Sequence, residues 1–277
     1  MIRNILVPQD GSNHSRTALD YAIWLARRMQ AKLVGIYVVN IVALEGPFLH
    51  DLSGSLGFEP YLNFSTKMRE VLEAKGEEIL KTFQEKCGVD GIENEVYAST
   101  GIVVNEICEK AKVADLIIMG RQGINVQFEY GLLGSTTEGV LRKASKPVLT
   151  VPDTFKEPAN PLLAYDGSVT ASKAMHSAAE FVKALGLPLT VLSVSRDDSG
   201  ERLLDDAEDY LRPYKIQPKF INKKGDTHKG IVDYYKDNNH DILFIGASHH
   251  SRIVKMVLGS TTEYVMRSIN APIFLER

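Results

Sequence analysis

Cysteine is scarce: Cys87 and Cys108 are the two in 277 residues, and neither belongs to a CxxC or a Cys/His cluster. That leaves little for a disulfide framework, a zinc site or a dithiol redox centre. An excess of charge of one sign is missing too. The 32 Lys plus Arg stand against 35 Asp plus Glu, a net of −3, so no broad basic surface points to nucleic acid or an anionic membrane as main partner. No apolar run approaches the roughly 18 residues of a membrane helix. The strand-like Arg3-Asn4-Ile5-Leu6-Val7-Pro8 follows Met1 too closely for a signal peptide, so a cytoplasmic protein is expected. Also absent are Gly-x-Ser-x-Gly and Gly-x-x-x-x-Gly-Lys-Ser/Thr, so there is no nucleophile elbow and no P-loop lysine for rapid phosphoryl transfer.

What is present is a duplication. Leu-Gly-Ser-Thr-Thr-Glu occurs at 133–138 and again at 258–263. Asp10-Gly11-Ser12 falls on Asp166-Gly167-Ser168 at an offset of 156, and Leu33–Val38 falls on Leu189–Val194 at the same offset. Later landmarks need less: Asp115–Gly120 matches Asp241–Gly246 at 126. The first copy is therefore longer in its middle, mainly in the Gly/Pro/aromatic stretch Ile41–Phe64, read as a long loop or short helices. Two domains are expected, 1–153 and 160–277, joined by the proline-bearing linker Pro152–Pro161.

Each copy alternates short apolar runs with longer amphipathic ones, the pattern of parallel strands connected by helices. Strands are expected near 3–8, 32–39, 92–98, 115–120 and 147–151, then near 161–165, 188–195, 217–222, 241–246 and 272–275. Leu116-Ile117-Ile118-Met119 and Ile242-Leu243-Phe244-Ile245 are apolar on both faces, as central strands covered by helices should be. The first helix, about 14–29, places Ala18, Tyr21, Ala22, Leu25 and Met29 inward, with Ser12 or Asn13 as its N-cap. The fold class is α/β, two tandem five-stranded doubly wound domains.

Such folds hold ligands beyond the carboxyl ends of the strands. The hexapeptide follows the fourth strand and opens a helix, so the amides of Ser135-Thr136-Thr137 and Ser260-Thr261-Thr262 would point out of helix N-termini that favour a phosphate. A ligand-free reading stands beside this. Ser135-x-x-Glu138 and Ser260-x-x-Glu263 also have capping-box spacing.

Upstream, Gly120-Arg121-Gln122-Gly123 reaches Gly134-Ser135 after ten residues, and Gly246-Ala247-Ser248-His249 reaches Gly259-Ser260 after nine. Here the chain resembles the universal stress protein family, whose nucleotide-binding members carry Gly-x-x-Gly, nine residues, then Gly-Ser or Gly-Thr. The resemblance runs through nearly the whole chain twice, including Val7–Ser12, Ile36–Val39, the turns at Gly101 and Gly225, and a Pro opening each last strand. It implies a Rossmann-like, adenine nucleotide alpha hydrolase-like fold binding ATP, with or without Mg2+. Asp10 and Asp166 would sit beside ribose and phosphates, with the main chain of Val38 and Val194 against adenine. Gly120, Gly123, Gly134, Ser135 and Thr136 would wrap the triphosphate in one copy, and Gly246, His249, Gly259, Ser260 and Thr261 in the other. Arg121 and Arg252 are either phosphate partners or solvated loop residues. The first copy departs by one extra residue in Gln127–Tyr130, with a carboxylate at Glu129; the second departs by His249 in place of Gly.

The leading expectation is a tandem universal stress protein, a stress-response regulator or interaction module with slow or no ATP hydrolysis. A nucleotide-free scaffold is the alternative. An ATP pyrophosphatase-type enzyme is further off, because Gln9-Asp10-Gly11-Ser12 replaces the Ser-Gly-Gly-x-Asp-Ser loop of those enzymes. Metal pairs at His249-His250, His50-Asp51 and His240-Asp241 read better as loop and turn residues. The family also implies pairing of the halves through their last strands, an internal pseudo-dimer, with an unidentified protein partner and a homodimer both open. The 41–64 stretch, with Phe48, Phe58, Tyr61 and Phe64, is a candidate lid or partner surface, or ordinary packing.

Overall fold

The computed structural model describes residues 2–41, 60–124, 133–197, 199–247 and 259–277, with side chains of the helix that begins at Pro60 described from Thr66 onward. The first lobe runs β1 (Asn4–Pro8), α1 (Asn13–Met29), β2 (Lys32–Asn40), α2 (Pro60–Val89), β3 (Asn94–Gly101), α3 (Val103–Ala111), β4 (Leu116–Gly120), α4 (Ser135–Lys143) and β5 (Val148–Val151). The second runs β6 (Pro161–Ala164), α5 (Val169–Leu185), β7 (Thr190–Ser195), α6 (Ser199–Leu211), β8 (Lys219–Lys224), α7 (Thr227–Asp237), β9 (Ile242–Gly246), α8 (Ser260–Ser268) and β10 (Ile273–Glu276). A short 3-10 turn, Arg212–Tyr214, follows α6.

The ten strands among the described residues form one sheet in the order β3-β2-β1-β4-β5-β10-β9-β6-β7-β8. Within a lobe every pairing is parallel, and strand order reverses between β1 and β4 and between β6 and β9. The lobes join where β5 and β10 pair antiparallel, Leu149 opposite Phe274. That pairing covers two strand edges that would otherwise be open, as the last-strand expectation required.

Strand alternation sends Ile5, Val7, Leu116, Ile118, Leu149, Leu163, Phe244 and Phe274 into one apolar layer and Leu6, Ile117, Val148, Leu162, Leu243 and Leu275 into the other. Each layer contains residues of both lobes, so the core does not stop at the domain junction. Helix α1 is buried far beyond its expected stripe, with Leu19, Ile23, Trp24 and Ala26 also covered. Its second partner explains the excess. Trp24 meets Phe181 of α5 at 5.8 Å between ring centroids, an aromatic contact worth about 0.5–1.5 kcal/mol beyond its buried area.

The expected linker is bolted down. Thr17 Oγ1 donates to Asp153 O (2.9 Å), while Tyr21 Oη donates to Lys156 O (3.0 Å) and accepts from Lys156 N–H (3.1 Å). Phe155 packs on the Tyr21 ring at 4.7 Å. Asp153 O and both polar groups of the Lys156 backbone thus find partners on α1, while Ala159 and Asn160 N–H donate to the Asp241 carboxylate (2.9 and 2.8 Å). Helix α2 starts at Pro60, inside the Ile41–Phe64 stretch expected as a long loop or short helices. The 42–59 part of the candidate lid lies outside the described residues, as do His50-Asp51 and the side chains of Tyr61 and Phe64. Cys87 and Cys108 are buried free thiols, and burial pushes Cys87 up to about 12. No described helix is long and apolar enough to cross a membrane.

Candidate functional site

In lobe 1 a cleft of about 400 Å3 opens at the reversal of strand order, inside the roughly 300–1,000 Å3 range of small-ligand pockets. Its first wall is the turn leaving β1. Gly11 takes a φ of 82°, which lets Asp10 Oδ1 accept from Ser12 N–H (2.8 Å) and frees Ser12 Oγ to cap α1 through Ser15 N–H (3.1 Å). Asp10 is thereby fixed at the lip, its other oxygen toward Gly123, where a Cβ would sit 2.8 Å from it.

The second wall is the end of β2. Gln9 N–H donates to Ile36 O (2.8 Å), the last rung between β1 and β2. Peptide groups two residues apart in a strand point the same way, so the N–H and C=O of Val38 project past the end of β1. Ile36, Val103, Ile107 and Met119 line the cleft around them, giving a flat apolar slot with one polar edge.

The third wall is the glycine loop. A side chain at Gly120 would meet the backbone of His14 at 2.9 Å, so this glycine lets the end of β4 lie against α1. Gly246 does the same in lobe 2, where a Cβ would come within 2.5 Å of Ala171 N. Beyond the loop, the capping-box reading fails in both copies. Gly134 and Gly259 are themselves the N-caps, with no side-chain cap bond, and Ser135 and Ser260 are already the first helical residues. Two bonds shift the start. Gly134 N–H donates to Arg121 O (2.9 Å) and Thr137 Oγ1 to Gly120 O (2.8 Å), stitching the helix start to the end of β4. Glu138 then turns to Arg142, and Glu263 to Arg267 (2.7 Å), rather than back over the first turn. Among the described residues nothing accepts from the amides of Ser135, Thr136 and Thr137, and Gly134, Ser135, Thr136 and Thr137 all line the cleft.

Asp10, Val38, Gly120, Gly123, Gly134, Ser135 and Thr136 therefore share one cleft. Arg121 does not. Its buried guanidinium crosses the lobe boundary and donates to Met266 O and Ile269 O at the end of α8, so both earlier readings, phosphate partner and solvated loop residue, are corrected. A cation at a helix C-terminus meets the unpaired carbonyls and the negative dipole end. The second lobe returns the contact, Arg277 donating to Ala144 O (3.4 Å) just past α4.

Lobe 2 repeats the frame with different contents. Gly167 has a φ of 73° and Asp166 Oδ1 accepts from Ser168 N–H (3.0 Å), but Val194 O is already taken by Thr227 Oγ1 (3.3 Å). Gly259, Ser260 and Thr261 open α8 as their counterparts open α4. His249, His250, Arg252 and Glu129 lie outside the described residues. His240 Nδ1 lies 3.0 Å from Asn160 O beside a strand end, and burial lowers its pKa. Among the described residues no three His, Cys, Asp or Glu side chains gather as a metal site.

Sequence reasoning passed over Tyr37, Leu72 and Lys75, which also line the cleft. Gly76 was their signal: in a charged helix it leaves room for the Tyr37 ring, which a Cβ there would approach to 2.4 Å. Burial raises the pKa of Tyr37, with the Asp10 carboxylate adding to the shift. His14, beneath the loop, is held below the ordinary histidine value chiefly by burial.

Comparison with known proteins gives concordant results. A model of the universal stress protein family matches residues 1–152 and 197–275. A universal stress protein of Synechocystis is 29% identical over 289 aligned residues spanning 100% of both chains. One from Methanocaldococcus jannaschii is 34% identical over 159 residues, 57% of this chain and 86% of that one. The crystal structure of a universal stress protein from Archaeoglobus fulgidus superposes with a TM-score of 0.78 at 27% identity, covering 99% of this chain and 98% of that one.

Proposed function

The chain belongs to the universal stress protein family, and from that premise we propose that lobe 1 binds ATP or a related adenine nucleotide and that lobe 2 does not. The observation that carries this is the row of amides at Ser135, Thr136 and Thr137, unpaired among the described residues and facing the cleft. A negative charge at such a helix N-terminus is favoured by about 0.3–1 kcal/mol. A purine fits the apolar slot beside Val38, whose projecting N–H and C=O offer one donor and one acceptor to its edge. Asp10, the one carboxylate among the described lining residues, faces the ribose and phosphates. Mg2+, where present, enters on the phosphates.

The biological role in this reading is regulatory. Nucleotide occupancy of lobe 1 changes the contacts the chain makes with a protein partner in the cytoplasm, and hydrolysis is slow or absent because the sequence offers no P-loop lysine. Native mass spectrometry of the full chain titrated with ATP tests the binding. The expected result is one nucleotide adduct per chain; absence of any adduct at millimolar ATP overturns the proposal.

A further inference from the structure

The positive-φ glycines that follow the first strand of each lobe, Gly11 and Gly167, provide a structural ruler. A Cβ on Gly11 would lie 2.9 Å from Ile79 of α2, and one on Gly167 would lie 2.5 Å from Leu203 of α6. Ile79 and Leu203 therefore occupy equivalent places, an offset of 124 residues that also carries Gly76 onto Gly200 and Gly101 onto Gly225. On this ruler Lys75 matches Ser199, the residue at which α6 begins. Helix α2 continues N-terminally from this point for about four more turns, and Leu72 of that extension lines the cleft together with Lys75.

Lys75 is the only cation among the described residues lining the cleft, and Arg121, the cation expected there from the sequence, is committed to α8. The Lys75 side chain passes beside Gly11, its Cε 4.0 Å from where a Cβ would be, and no described residue pairs with its ammonium. Lobe 2 has a neutral residue, Ser199, at this place. Asp197 accepts from Ser199 N–H (3.1 Å) and Ser199 Oγ (2.5 Å), and those bonds hold its pKa below the usual carboxylate range.

Resting on the reading of lobe 1 as a nucleotide cleft, we propose that Lys75 is a specificity-determining residue that contacts the phosphates and makes lobe 1 favour polyphosphorylated ligands over the bare nucleoside. The physical reason is charge compensation. Amides and a helix dipole supply partial charges, and Asp10 repels, so one full positive charge at the rim decides how much phosphate is tolerated. An exposed cation acts through partly screened attraction, so the effect is moderate and salt-dependent.

The test is calorimetric titration of the full chain with ATP and with adenosine, comparing wild type, Lys75→Met and Lys75→Arg at low and physiological salt. Lys75→Met is expected to weaken ATP about 3–10-fold, to leave adenosine unchanged and to flatten the salt dependence for ATP, while Lys75→Arg retains ATP affinity. Equal weakening of ATP and adenosine would mean a packing role and overturn the proposal. Unchanged ATP affinity in Lys75→Met would overturn it as well, leaving the nucleotide cleft intact. Failure of wild type to bind either ligand would instead remove the cleft reading, and this inference with it.

Discussion

Lobe 1 and lobe 2 are built to the same frame and differ in what they put over it. Both turn after their first strand on a positive-φ glycine, cap the next helix with Ser12 or Ser168, press a glycine of the fourth strand against that helix, and start α4 and α8 on an uncapped glycine. Above the frame they diverge. Lobe 1 has α2 running past the cleft, Tyr37 on its floor and Val103 beside Val38; lobe 2 has a short α6, Ser193 and Thr227, whose hydroxyl occupies Val194 O. Duplication thus preserved the uncapped helix start, while a few side chains differ around the neighbouring main chain. A repeated motif is evidence of a repeated backbone, and says less about a repeated ligand.

The largest expected effect breaks the comparison at the helix starts. Ser135→Glu adds a carboxylate that an exposed first-turn position tolerates but a phosphate does not, and should weaken ATP more than about 100-fold with unchanged helical content. Ser260→Glu should leave ATP affinity unaltered; equal loss from the two variants would restore lobe 2 as a site. Next come the reciprocal arginines. Arg121→Met leaves buried carbonyls at the end of α8 without partners and should cost roughly 2–4 kcal/mol in urea unfolding, whereas Arg277→Met should cost less than about 1 kcal/mol. ATP affinity of folded Arg121→Met should match wild type, since its guanidinium does not line the cleft.

Exchanging the slot residues sharpens the contrast further. Val103→Thr would bring to lobe 1 the hydroxyl that occupies Val194 O in lobe 2, and competition for Val38 O should weaken ATP about 3–10-fold. An unchanged dissociation constant would remove the main chain of Val38 from the binding model. The smallest effect is on pH. Burial lowers the pKa of His14 in lobe 1 and His240 in lobe 2, so the unfolded chain takes up these protons first as pH falls. Their contribution is complete above about pH 6.5 and is lost as pH falls from there through the lowered native values. Urea midpoints should decline below that pH, and more gently in His14→Gln and His240→Gln.

The strands were legible because central parallel strands are apolar on both faces, and Leu116–Met119 or Ile242–Ile245 admit no other easy reading. The joining of the halves through β5 and β10 followed from resemblance, not from the residues of Val148–Val151 themselves. Helix α1 was only half legible, because a second lobe covering its outer side leaves no trace in a local period. The Ser-x-x-Glu spacing fitted two helix starts one residue apart, and the choice fell to bonds from Gly134 and Thr137 to a strand end far away in sequence. Arg121 was misread for the same reason: residue type and loop position are local, whereas its acceptors lie across the lobe boundary at Met266 and Ile269. Lys75 went unnoticed inside a helix whose many charges look uniformly solvated until Gly76 fixes which side meets Tyr37.

A crystal structure of the full chain grown in millimolar ATP tests the central claim most directly. The account requires nucleotide density in lobe 1, phosphates against the amides of Ser135, Thr136 and Thr137 and the purine beside Val38, with the crevice before Ser260 empty. An empty lobe 1, or equal occupancy of both lobes, would contradict it.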